Sequence, residues 1–70
     1  MIQINYKYQG VDFFDINENL HRLNGPALIM CKLGYQVYYI EGIVYNSQYE
    51  FEIERDKYLL TKKLQENFEQ

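Results

Sequence analysis

Leu20-His21-Arg22-Leu23-Asn24-Gly25-Pro26-Ala27-Leu28-Ile29-Met30-Cys31-Lys32-Leu33 decides the fold, because it joins the only histidine, the only proline and the longest unbroken apolar run of the chain. Asn24-Gly25-Pro26 is a turn signal. Gly25 can take a positive φ that a Cβ resists, while Pro26 fixes its own φ and supplies no N–H, so a left-handed Gly25 and a strand directly after it are expected. Ala27 to Cys31 has no polar position. A strand of that kind wants cover on both faces, so this one is expected at the centre of a sheet, with Cys31 buried in it.

Upstream, Ile2, Ile4, Tyr6 and Tyr8 alternate with Gln3, Asn5, Lys7 and Gln9. That period of two is a strand with one covered face, ended by Gln9-Gly10. Val11 to Ile16 reads as a second short strand around Phe13-Phe14, followed by a loop at Asn17-Glu18-Asn19. Downstream, Lys32-Leu33-Gly34 is a tight reversal into a return strand over Tyr35 to Ile40. Glu41-Gly42 is a further turn, and Ile43-Val44-Tyr45 a last strand. The turns at Gly10, Gly25, Gly34 and Gly42 leave no connection long enough for a crossover helix, so the sheet is an antiparallel meander of hairpins.

The pattern changes at Asn46. Ser47 and Glu50 form S-x-x-E, a capping box that opens a helix over 47–69. Tyr49, Ile53, Leu60, Leu64 and Phe68 fall on one side of that helix, which makes it amphipathic and predicts that this stripe meets the sheet. Phe51 and Tyr58 then lie on the opposite side, facing water or a second contact surface. The whole is one α+β domain over 1–70, with the sheet in 1–46 and one long C-terminal amphipathic helix after it.

Composition narrows the function. At 70 residues a chain buries only about 60% of its unfolded surface, so it is marginal without a staple or partner. A single cysteine excludes an internal disulfide and fits a reducing cytoplasmic compartment. There is neither the apolar core of a signal peptide nor the roughly 20 apolar residues of a membrane span, so a soluble, non-membrane protein is expected. A net charge of −3 argues against a nucleic-acid backbone as partner, even with eight tyrosines to stack on bases. Tyrosine in such excess is instead an interface residue, with Tyr38 the foremost candidate.

Leu20 to Ala27 resembles the hairpin repeat H-R-x-[DN]-G-P-A of uncharacterised phage and giant-virus proteins, itself loosely similar to MORN repeats. Tyr38-Tyr39-Ile40-Glu41-Gly42 matches that family's return strand, and Tyr45-Asn46-Ser47 its terminal helix start, so the likeness covers about residues 20 to 51. One copy is present, whereas a solenoid needs about three. The resemblance implies a viral origin and a hairpin fold, with no established activity.

No catalytic chemistry is expected. His21 lacks partners at metal-ligand spacing, and a buried Cys31 would be inert. Glu50, Glu52 and Glu54 fall on different helix faces, and no phosphate loop or nucleophile elbow occurs. His21 and Arg22, with Gly25 and Pro26, are expected to be structural, their donors holding carbonyls of the turn or pairing with Asp15 or Glu18. The reading is therefore a non-enzymatic protein-binding module with no cofactor and no metal, of the kind a small phage-encoded anti-defence inhibitor or adaptor would be. Its partner is expected to be a host protein, with Tyr38, Phe51 and Tyr58 making the contact, and a homodimer is expected as well. The alternative is a structural, self-assembling hairpin unit of a viral protein.

Overall fold

The computed structural model describes residues 1–7 and 9–69, with side chains described as far as Gln65. Tyr8 and the side chain of Phe68, both named above, lie outside that range. Five strands run in chain order: β1 (Ile2–Asn5), β2 (Gly10–Phe13), β3 (Leu28–Met30), β4 (Tyr35–Ile40) and β5 (Ile43–Tyr45). Each pairs antiparallel with the next, and a single helix, α1 (Gln48–Glu69), follows. The fold is thus the expected α+β meander with a C-terminal helix.

Several local expectations need correction. Gly10 does not end a strand but starts β2, paired with Asn5 on one side and Met30 on the other. β3 stops at Met30, and Cys31 opens a 3-10 turn (Cys31–Leu33) closed by Gly34 in the left-handed conformation (φ 63°). Cys31 is therefore exposed, not buried. Leu28, Ile29 and Met30 are all half-buried, so β3 is central in order but fully buried on neither face. Gly25 has no positive φ, since among the described glycines only Gly34 and Gly42 do. The Pro26 ring restricts the preceding residue to extended backbone, and that constraint decides Gly25's conformation.

β4 holds the sheet together. Its first half, Tyr35 to Val37, pairs with β3, and its second half, Tyr38 to Ile40, pairs with β5. The edge that β3 leaves free is taken by the 20–27 loop: Arg22 N donates to Tyr39 O (3.2 Å), Ala27 N to Val37 O (2.9 Å) and Gly42 N to Leu20 O (2.8 Å). Glu41 and Gly42 both have positive φ (50° and 84°) between the paired Ile40 and Ile43. Those are the signs of the mirror-image two-residue turn whose twist suits a hairpin.

The helix begins as expected, with Ser47 Oγ accepting the Glu50 N–H (3.1 Å), and it runs through Asp56 without a break. Its rotation is the reverse of the expectation. Phe51, only 2% exposed, faces the sheet and stacks on Tyr38 with ring centroids 4.7 Å apart. Only Asn46 and Ser47 separate β5 from the helix, so that short link sets the angle at which the chain enters and hence which side meets β4 and β5. The core is small. Ala27, Ile40 and Phe51 are its fully buried hydrophobic residues among those described.

Candidate binding surfaces

The His21–Pro26 segment is a structural clamp at the far end of β4. Arg22 Nη1 donates to Pro26 O (3.3 Å), and its guanidinium lies 4.0 Å over the Phe13 ring, so this cation closes its own turn and covers a sheet aromatic. His21 Nδ1 does not donate to a carbonyl; it accepts the Glu41 N–H (2.9 Å). The bond ties the loop to the β4–β5 turn. Glu41 in turn accepts from Tyr58 Oη (3.2 Å), whose ring centroid is 5.8 Å from that of His21. Burial, then the Glu41 charge, pushes the Tyr58 phenol above its ordinary pKa. Nearby, Asp15 Oδ1 accepts the N–H groups of Asn19 (3.0 Å) and Asn17 (2.9 Å); the first of these is the main cause of its lowered pKa.

His21, Tyr58 and Glu41 already satisfy one another, and the loop that holds them lies against the end of β4 away from Cys31. The length of β4, about 20 Å for six residues of strand, separates Cys31 from His21. Among the described residues no group of three or more His, Cys, Asp or Glu side chains is placed to hold a metal ion. No helix among them is long and apolar enough to cross a membrane.

Tyr38 and Phe51 come together inside the helix–sheet contact, and Tyr58 stands apart from them against His21 and Glu41. Tyr38 lies half-buried under Phe51, and Tyr58 is half-buried beside the clamp. A buried Phe51 offers no surface to a partner, so its placement on an outer face is corrected. The rings fill the space over β4 and β5 that the longer aliphatic stripe was expected to fill.

Two apolar surfaces are left open instead. On the sheet, Ile2 pairs with Phe13, Ile4 with Val11, and Val11 with Ile29, which lines these residues up on one face across β1, β2 and β3. Ile2 and Ile4 are 63% and 56% exposed, as the helix packs mainly on β4 and β5. On the helix, Tyr49, Ile53, Leu60 and Leu64 point away from the sheet. Two shallow hollows accompany these surfaces: about 270 Å³ beside Met1, Gln3, Phe14 and Glu18, and about 220 Å³ beside Tyr45, Glu50, Ile53 and Glu54. Both were read from periodicity and expected to be covered, the β1 alternation as the buried face of a strand and the helix stripe as core; the exposure of Ile2 and Ile4 and of the stripe corrects both.

The class these observations define is a small α+β meander whose single helix covers one end of its sheet. No family model, curated protein or solved structure matches the chain. The likeness of residues 20 to 51 to viral hairpin repeats thus rests on those residues alone.

Proposed function

We propose that this chain is a non-enzymatic protein-binding module that acts by occupying the surface of another protein, as a small phage-encoded inhibitor or adaptor of a host protein would. The observation that carries the reading is the apolar face across β1 to β3. Ile2 and Ile4 stand exposed on an edge strand, beside Val11 and Ile29, where a monomer of this fold has no element to cover them. Edge strands that work alone usually carry charges or proline against stray pairing, whereas IQIN carries neither. A partner laid on this face would bury Ile2 and Ile4.

The test is affinity capture from bacterial lysate with the parent chain and with Ile4→Lys. A single protein retained in stoichiometric amount by the parent and lost with Ile4→Lys supports the reading. Equal capture by both, or none, refutes it. A second reading, a self-assembling structural unit, is favoured by the open helix stripe; self-association in place of any captured protein would select it.

A further inference from the structure

The stripe that α1 turns away from the sheet has a symmetric spacing. Tyr49, Ile53, Leu60 and Leu64, the stripe residues whose side chains are described, stand 4, 7 and 4 residues apart, so these four read the same from either end about a midpoint between Asp56 and Lys57. On a helix of 3.6 residues per turn all four fall within one narrow strip, with Asp56 and Lys57 flanking its middle. Tyr49 is 74% and Leu60 60% exposed, values that fit an interface half and not a core.

From this spacing we infer that α1 pairs with α1 of a second copy of the chain, antiparallel, about a two-fold axis at Asp56-Lys57. That register sets Ile53 level with the partner copy's Leu60, and Tyr49 level with its Leu64, twice each. Every stripe residue then meets an apolar one, as a self-complementary two-fold patch requires.

Charge selects the direction. Glu50, Glu52 and Glu54 lie in the first turns of the helix, and Lys62 and Lys63 in its second half, with Glu66 and Glu69 after them. Antiparallel pairing sets Glu52 within a turn of Lys63 of the second copy, on the same flank. Parallel pairing sets Glu52 against Glu50 and Glu54, and stacks the helix dipoles alike. Asp56 meets its own copy near the axis, and Arg55, whose Nε lies 3.2 Å from Asp56 Oδ1, offsets that repulsion.

The area agrees. The chain exposes 5487 Å², whereas a folded chain of 8.5 kDa exposes about 4,650 Å². The excess, roughly 800 Å², is shared between the helix stripe and the open sheet face and is about what one side of a standard-size interface buries. The inference concerns the helix alone and holds or fails independently of what the sheet binds.

Cysteine cross-linking tests it on the full chain carrying Cys31→Ser. Asp56→Cys stands beside the axis, so mild oxidation should link it to its own copy. Tyr49→Cys should not link to itself, since its two copies lie about 22 Å apart along the pair, but should link to Leu64→Cys in a mixture of the two variants. Self-linking at position 49 means parallel pairing and overturns the inference, as does a failure to link at 56 together with a monomer mass by light scattering at high micromolar concentration. Charge exchange gives a second measurement. Glu52→Lys or Lys63→Glu alone should weaken dimerisation about tenfold, and the double variant should recover most of the loss; no recovery overturns the register.

Discussion

Gly10 and Gly25 show how differently two glycines can matter. A Cβ on Gly10 would collide with the Ile29 backbone carbonyl across the β2–β3 ladder, and neither backbone can yield without losing the pairing. Gly10→Ala should cost about 2 kcal/mol or more of folding stability. At Gly25 the nearest atom to such a Cβ is Arg22 Nη1 at 3.5 Å, an ordinary contact, and φ is not positive. Gly25→Ala should change stability by less than about 0.5 kcal/mol. Chemical denaturation of the two variants checks both, and the opposite ranking would refute the β2–β3 register. Cys31, exposed at the start of the 3-10 turn, should react with a thiol reagent in the folded protein nearly as fast as in denaturant; strong protection would mean that β3 extends through it. Tyr58 governs the alkaline limb. Its folded pKa is raised, so its contribution is fully present below the unfolded value of about 10 and is lost as pH rises through the folded one. Tyr58→Phe should flatten the fall in melting temperature above about pH 10 that the parent shows.

At the scale of elements, pattern and placement part company. β4, β5 and the helix start were legible because alternation, glycine turns and Ser47-Glu50 all act within a few residues of themselves. The helix face was not, because periodicity finds the apolar strip without saying what lies against it. A strip of Tyr49, Ile53, Leu60 and Leu64 and a strip of Phe51 and Tyr58 compete for one short stretch of sheet, and the two-residue link from β5 gave it to the second. Cys31 failed for a similar reason. An unbroken apolar run reads as strand, but Gly34 in the left-handed conformation closes a turn that takes Cys31 out of the ladder. The helix orientation predicts a contrast: Phe51→Ala should cost about 3 kcal/mol or more, while Leu60→Ala, measured at concentrations too low for pairing, should cost about 0.5 kcal/mol or less. Equal losses would mean that both strips contact the sheet.

For the whole molecule, stability and concentration should be inseparable. The buried core of the described residues comprises one alanine, one isoleucine and one phenylalanine, and a fully buried large side chain contributes only about 1.5–3 kcal/mol. A monomer resting on these is marginal, and on the inferred pairing the joined helices supply part of the folding free energy. Folding coupled to pairing follows mass action: a hundredfold dilution removes about 2.7 kcal/mol per dimer, about 1.4 kcal/mol per chain. For a domain of this size that corresponds to a fall in melting temperature of about 5–10 °C. Leu60→Glu places a charge in the middle of the stripe, opposite Ile53 of the second copy, and leaves Phe51 and Tyr38 untouched. It should therefore melt at one temperature whatever its concentration, and at or below that of the parent at high dilution. A parent melting temperature unchanged across a hundredfold range would mean that three buried residues and the His21–Glu41–Tyr58 clamp hold the fold alone, with the helix stripe free to meet something other than itself.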